Sequence, residues 1–73
     1  MIARTRFVSI LRDLGYPFRE RTKRTEIYRK LGGTHRIFLT THKLLAEDYC
    51  RHILRQCGLT EEKIDEFIRA AKQ

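Results

Sequence analysis

Apolar residues recur at helical spacing near both ends of the chain, on either side of a central segment that lacks this period. Gly15 can end the first helix in the left-handed conformation, Thr5 can cap its start, and Pro17 keeps the chain extended beyond it. The pattern therefore predicts a first amphipathic helix whose apolar face comprises Phe7, Ile10, Leu11 and Leu14.

The central segment combines β-prone residues with a glycine pair. Residues 34–41 are rich in β-branched and aromatic side chains, which favour strands. Gly32 and Gly33 separate them from the run before, and such a pair predicts a two-residue hairpin loop. A weaker strand at residues 18–23 would complete a three-stranded antiparallel meander.

The last part of the chain predicts two more helices. The first stops at Gly58 and has a broad apolar face: Leu45, Ala46, Tyr49, Cys50, Ile53, Leu54 and Cys57. Thr60 can cap the second, whose face comprises Ile64, Phe67, Ile68 and Ala71. We therefore expect one α+β domain over residues 1–73, in the order α-β-β-β-α-α, with the helices on one face of a small antiparallel sheet.

Positive charge is concentrated in the first part of the chain. The net charge is +7, but residues 1–43 hold eleven basic and three acidic residues, whereas residues 44–73 hold five basic and six acidic ones. Such segregation is typical of a surface that binds a polyanion. The sequence predicts nucleic-acid binding, with RNA favoured over DNA, through Arg19, Arg21, Lys23, Arg24, Arg29, Lys30, Arg36 and Lys43.

The predicted hairpin brings two arginines together. If Gly32–Gly33 is the whole loop, Arg29 lies opposite Arg36, and opposed like charges destabilise a hairpin by roughly a few tenths to one kcal/mol. Two guanidinium groups that grip one phosphate would explain the pair. Alternatively, both arginines extend separately into water, and a longer loop with a one-residue slip would separate them.

Two aromatic residues lie in the same hairpin. Tyr28 and Phe38 could stack on unpaired bases. Strand aromatics beside helices more often belong to the core, so we expect at least one of them to be buried.

His35 is the candidate catalytic residue, since it follows the glycine turn among Arg29, Lys30 and Arg36. Histidine can act as a general acid or base on a phosphodiester, and RNA supplies its own nucleophile, the 2′-hydroxyl. Alternatively, His35 is a polar strand residue that contacts a phosphate without chemistry.

Several other kinds of site are not expected. The histidines and cysteines lack the paired short spacings of a zinc site, and no carboxylate cluster suggests magnesium, so we expect no metal and no cofactor. Cys50 and Cys57 are expected to be reduced core thiols. Apolar runs are only a few residues long and residues 1–6 hold no signal core, so we expect a cytoplasmic protein outside the membrane.

Two segments of the chain match motifs of a known protein family. Residues 26–38, Glu-Ile-Tyr-Arg-Lys-Leu-Gly-Gly-Thr-His-Arg-Ile-Phe, resemble the strand–Gly-Ser/Thr-His–strand segment of HicA-type toxins, and residues 51–59, Arg-His-Ile-Leu-Arg-Gln-Cys-Gly-Leu, resemble the end of the Leu-Arg-x-Ile-Leu helix of the same family. The resemblance implies a double-stranded-RNA-binding-like fold and a metal-independent endoribonuclease that acts on messenger RNA. It also implies an antitoxin partner that covers the active surface, and it assigns the functional histidine to His35.

Two alignments with this family are open. In the first, His35 is the functional histidine, but only residues 39–47 fill the place of a further strand before the Leu-Arg-x-Ile-Leu helix. In the second, residues 34–42 form the family's last strand and residues 22–24 stand where the histidine should be. Both alignments imply RNA contact, and only the first implies cleavage.

Three hypotheses result. In the first, the chain is a toxin-like ribonuclease in which His35 donates or accepts a proton, and Arg29, Lys30 and Arg36 stabilise charge on the phosphate. Alternatively, it is a nucleic-acid-binding module without catalysis, or a protein-interaction module or dimer whose basic face meets an acidic partner.

Overall fold

The computed structural model describes residues 1–72 and has the predicted α+β architecture. Its elements are β1 Ile2–Ala3, α1 Arg4–Asp13, β2 Phe18–Arg21, β3 Thr25–Arg29, β4 Arg36–Thr40, β5 Leu44–Leu45, α2 Glu47–Gln56 and α3 Glu61–Ala71. The strands β2, β3 and β4 form the predicted antiparallel meander, while β1 pairs with β5 in a separate two-stranded sheet. The order α-β-β-β-α-α is confirmed, and the β1–β5 pair is an addition to it.

The backbone N–H groups at the starts of α1 and α3 find their hydrogen-bond acceptors in different ways. Helix α1 starts directly from β1, and the N–H of Arg4 donates to the carbonyl oxygen of Lys43 at 2.9 Å. No side chain caps this start, so the predicted Thr5 cap is wrong: Thr5 lies inside the helix. The predicted Thr60 cap of α3 is confirmed, because its side chain accepts from the N–H of Lys63 at 3.3 Å.

The helices cover one face of the meander. Tyr28, Ile37 and Leu39 are the buried residues of that face, and their alternation along the strands places them on one side. They join a core that includes Phe7, Leu11, Cys50, Ile53, Leu54, Ile64 and Ile68. Cys50 is buried and Cys57 half-buried, and neither forms a disulfide. No helix within residues 1–72 has the length and apolar content needed to cross a membrane.

The β3–β4 hairpin has the predicted register but a different turn. Arg29 pairs with Arg36 and Tyr28 with Ile37, as expected. The N–H of Gly33 donates to the carbonyl oxygen of Lys30 at 3.2 Å, so Leu31 and Gly32 are the central residues of the turn. Only Gly32 has a positive φ, +71°, as at the third residue of a type II turn. The two-residue Gly-Gly loop is therefore wrong, although the register it implied is right.

Candidate nucleic-acid interface

The eight basic residues predicted to bind nucleic acid are all exposed, and they lie at the two ends of the meander. The first group surrounds the β3–β4 turn and consists of Arg19, Arg29, Lys30 and Arg36. The second lies at the opposite end, in the β2–β3 connection and just beyond β4, and consists of Arg21, Lys23, Arg24 and Lys43. Basic residues that are close together in the sequence are therefore divided between the two ends of the meander.

The eight predicted cations differ in ion pairing from most basic residues of the last two helices. Within residues 1–72, none of these eight side chains lies within ion-pair distance of a carboxylate. Four basic side chains after Leu44 are paired: Arg51 with Glu47 and Asp65, Arg55 with Glu61, Lys63 with Glu66, and Lys72 with Glu47. The cations of the meander are thus available to an external anion.

Arg29 and Arg36 are held by different local contacts. The Nε of Arg29 donates to the carbonyl oxygen of Gly33 at 3.1 Å, which turns this side chain towards the hairpin turn. The guanidinium carbon of Arg36 lies 5.6 Å from the ring centroid of Phe38, in the other direction along the hairpin. The two side chains therefore make contacts in opposite directions along the hairpin, which does not favour the single phosphate between them that the sequence suggested.

A groove of about 440 Å³ lies at the β3–β4 turn. It runs between the start of β2 and the turn, and residues of both segments line it: Pro17, Phe18, Arg19, Arg29, Lys30, Leu31, Gly32, Gly33 and Thr34. A β-bulge at Arg19 interrupts the pairing of β2 with β3 here, and bulges re-aim side chains at the edge of a sheet. The groove combines three cations with the exposed side chains of Phe18 and Leu31, so it is suited to an anion that carries an apolar surface.

His35 lies on the helix side of the hairpin, next to Tyr16. The hydroxyl oxygen of Tyr16 is 2.6 Å from Nδ1 of His35, and the two rings meet edge to face with centroids 5.5 Å apart. Lys30 completes the cluster: its Nζ donates to the carbonyl oxygen of Leu14 at 2.8 Å and lies 5.2 Å from the centroid of the Tyr16 ring. His35 is exposed while Tyr16 is buried, so a fixed phenol orients an accessible imidazole.

The protonation state of Tyr16 bears on whether Nδ1 of His35 accepts or donates the hydrogen bond between the two side chains. Burial raises the pKa of Tyr16, and the neighbouring Cys57 thiol raises it further, so the phenol remains protonated at neutral pH. An unprotonated imidazole nitrogen accepts a hydrogen bond more strongly than a sulfur atom does. A phenol that donates to Nδ1 leaves the proton of neutral His35 on Nε2.

The hairpin separates His35 from two of the cations that were expected to assist it. Residues 30 and 35 share the face of Tyr28 and Ile37, whereas Arg29 and Arg36 are on the opposite face. Of the three predicted helpers, only Lys30 shares the helix side with His35. Sequence reasoning missed Tyr16, because a residue between a helix-ending glycine and a proline gives no sign of a contact with position 35.

Neither metal coordination nor known relatives adds a further assignment. Within residues 1–72, no group of three His, Cys, Asp or Glu side chains could hold a metal ion. Comparisons with protein-family models, curated proteins and solved structures found no match.

Proposed function

We propose that this chain binds RNA through the meander, with the cations around the β3–β4 turn as the principal contacts. The observation that carries the proposal is the absence of ion-pair partners, within residues 1–72, for Arg19, Arg29, Lys30 and Arg36. Unpaired cations grouped at one end of a sheet repel one another, and a bound polyanion relieves that repulsion.

The resemblance to HicA-type toxins supports RNA as this polyanion. The strand order supports the second of the two alignments, since β4 is the last strand of the meander and only the two-residue β5 precedes α2. Residues 22–24 then occupy the turn between the first and second meander strands, where the family has its histidine. We therefore propose binding without cleavage as the primary function.

Salt-dependent binding tests the proposal. A fluorescein-labelled RNA of 12 nucleotides is titrated with protein between 50 and 300 mM KCl, with DNA of the same sequence in parallel. For single strands, each phosphate that the protein neutralises contributes about 0.7 to the steepness with which log K falls against log salt. We expect the double variant Arg29→Gln/Arg36→Gln to flatten the slope by up to two such steps.

The matched control removes the same charge elsewhere. Arg12 on α1 and Arg69 on α3 are also exposed and have no ion-pair partner within residues 1–72, so Arg12→Gln/Arg69→Gln should retain the wild-type slope. Equal flattening of the slope in the two double variants would show that net charge alone attracts RNA, and a wild-type slope in both would exclude Arg29 and Arg36 as phosphate contacts. No RNA binding by the wild-type chain at 50 mM KCl would overturn the proposal and favour an acidic protein partner.

Cleavage of RNA is the second candidate, and the Tyr16–His35 contact favours it. In this reaction the 2′-oxygen attacks phosphorus and the bond from phosphorus to the 5′-oxygen breaks. The imidazolium of His35 would give its Nε2 proton to the leaving 5′-oxygen, while the 2′-hydroxyl proton goes to water. The products are a 2′,3′-cyclic phosphate and a 5′-hydroxyl, and no metal is required.

Tyr16 would assist His35 as an acid in this reaction. The imidazolium holds a proton on both nitrogens, and after Nε2 gives up its proton the Nδ1 proton remains, hydrogen-bonded to the Tyr16 hydroxyl oxygen. Incubation of end-labelled RNA with wild-type and His35→Ala protein tests this function, with cyclic-phosphate ends as the readout. Cleavage that persists in His35→Ala excludes this role, and RNA that stays intact with both proteins leaves binding as the function.

A further inference from the structure

We infer that the meander face opposite the helices binds an unpaired base of single-stranded RNA, which stacks on the ring of Phe38. This inference rests on the proposed RNA binding and specifies which form of RNA the chain selects. Duplex RNA keeps its bases paired and stacked, so their faces are not available to a protein ring.

The Phe38 ring is exposed although it belongs to an inner position of strand β4. Its two neighbours along the strand, Ile37 and Leu39, are fully buried against the helices. Phe38 points the other way and keeps 54% of its surface accessible. The exposed part of the ring is accessible to a flat ligand, and the guanidinium of Arg36 lies 5.6 Å from the ring centroid.

The surroundings of Phe38 hold its strand in place. Ile27 is its cross-strand partner, and this side chain is 6% exposed although it is not part of the main core. On the outer edge of β4, the Tyr49 hydroxyl donates to the carbonyl oxygen of Phe38 at 3.3 Å and accepts from the N–H of Thr40 at 3.1 Å. The strand is thus fixed on both sides, and stacking would require little ordering of the protein.

Cations on the same face select a phosphate-bearing ligand. Arg36 lies against the Phe38 ring, and Arg29 pairs with Arg36 across the hairpin. The strand register also places the acidic residue Glu20 beside Ile27 on this face. Glu20 forms no ion pair within residues 1–72, so it does not neutralise Arg29 or Arg36. An aromatic ring next to arginines is the combination by which proteins hold single strands, since the ring stacks on the base and the cations neutralise its phosphates.

A protein partner fits this face less well. A stable protein interface buries about 800 Å² on each partner and has an apolar centre. Here Phe38 is the large apolar residue that is exposed, and charged or hydroxyl-bearing residues surround it: Arg29, Arg36, Thr25 and Thr40. The charge and the small apolar area both favour a nucleotide.

Three labelled probes separate stacking from charge attraction: a 12-nucleotide oligouridine, a 12-nucleotide abasic ribose-phosphate strand and a 12-base-pair RNA duplex. One stacked base is worth at least about 1 kcal/mol, so wild-type protein should bind oligouridine at least about fivefold more tightly than the abasic strand. Phe38→Ala should lose this preference and retain its affinity for the abasic strand, whereas Phe38→Tyr should keep the preference.

Leu44→Ala is the matched control, because Leu44 is 55% exposed and lies on β5, which is not part of the meander. It should bind all three probes like the wild type. Equal binding of oligouridine by Phe38→Ala and wild type would overturn the inference and leave the proposed RNA binding intact. Failure of the wild-type chain to bind any probe would remove the proposed function itself.

Sedimentation of the same proteins without RNA tests the competing occupant. A single monomeric species for both wild type and Phe38→Ala supports a nucleotide site. If the wild type self-associates, Phe38→Ala is monomeric and RNA affinity is unchanged, the face is a protein interface and the inference is wrong.

Discussion

The Tyr16 hydroxyl and the Nδ1 atom of His35 lie 2.6 Å apart, across nineteen positions of the chain. The contact joins the end of α1 to the start of β4 at the edge of the core. It is reinforced from the hairpin by Lys30, whose ammonium group lies over the Tyr16 ring. An exposed imidazole is therefore held in one orientation by a buried phenol.

This contact predicts the tautomer of His35. Neutral His35 should carry its proton on Nε2, because the phenol proton occupies Nδ1. In this tautomer Nδ1 only accepts a hydrogen bond from the Tyr16 hydroxyl. In Tyr16→Phe the imidazole loses that donor and should populate both tautomers. Long-range ¹H–¹⁵N correlation spectra of the histidine ring distinguish the two forms directly.

His52 provides an internal reference for the same spectra. It is exposed on α2, and its Nε2 contacts the side chain of Gln56 at 3.1 Å. Its signals should not change in Tyr16→Phe. An Nδ1–H tautomer for His35 in the wild type would contradict the prediction and would reassign the phenol proton to Cys57.

The Arg4–Glu26 pair should contribute more to stability than the exposed ion pairs. The Arg4 and Glu26 side chains are only 18% and 15% exposed, and Arg4 also donates through Nε to the carbonyl oxygen of Thr40 at 3.2 Å. Tyr28 donates to Glu26 at 2.7 Å. Arg4→Met leaves the largely buried Glu26 carboxylate without its cation, and we expect a loss of about 2 kcal/mol in the free energy of unfolding.

Arg55→Met is the control for this change. The Arg55 and Glu61 side chains are 49% and 64% exposed, and exposed pairs contribute less than about 1 kcal/mol. Urea denaturation of both variants gives the comparison. Equal losses would show that the links from Arg4 to β3 and β4 add nothing to an ordinary surface pair.

Much of the fold could be predicted because burial imposes a period on the sequence. The stripe from Phe7 to Leu11 and the alternation around Ile37 and Leu39 both correspond to buried faces. The β3–β4 register was also predictable, since a slip by one residue would move Tyr28 and Ile37 out of the core. Burial restricts these positions to apolar residues, so the faces that they form can be recognised from the sequence.

The elements that were missed lack such a pattern. Strands β1 and β5 are two residues each, too short to show a period, and their pairing replaces the expected Thr5 cap. The charge distribution predicted an excess of cations over residues 1–43 but not their division between the two ends of the meander. The partnership of Tyr16 with His35 depends on tertiary packing, which local spacing does not encode.

Gly32 should be the sensitive glycine of the β3–β4 turn. Its φ of +71° is in the left-handed region, whereas Gly33 has no positive φ. A Cβ at Gly32 would meet no atom within 4 Å, so Gly32→Ala should be destabilising through backbone conformation alone, by about 1 kcal/mol. Gly32→Asn should be less destabilising, because asparagine tolerates this region better. Thermal or urea unfolding of the two variants measures the difference, and equal stability of Gly32→Ala and wild type would contradict the turn geometry.

The Cys50 thiol should make the fold sensitive to alkaline pH. Burial raises its pKa from 9.0 to about 11, with Glu47 adding to the shift. The folded state therefore favours the neutral thiol, and this contribution is complete below pH 9, where the unfolded chain also keeps its thiol protonated. Between pH 9 and 11 the unfolded chain loses the proton first, so the free energy of unfolding should fall by about 2–3 kcal/mol.

Cys50→Ala isolates this contribution. The variant should be less stable than the wild type at pH 8, because it leaves space in the core. Its free energy of unfolding should nevertheless fall less between pH 9 and 10.5, since the thiol that titrates has been removed. Burial also raises the pKa of Tyr16 and Tyr28, and their contribution above pH 10 remains in both proteins. Urea denaturation at half-unit steps of pH provides the measurement, and parallel curves for the two proteins would show that ionisation of Cys50 is not coupled to folding.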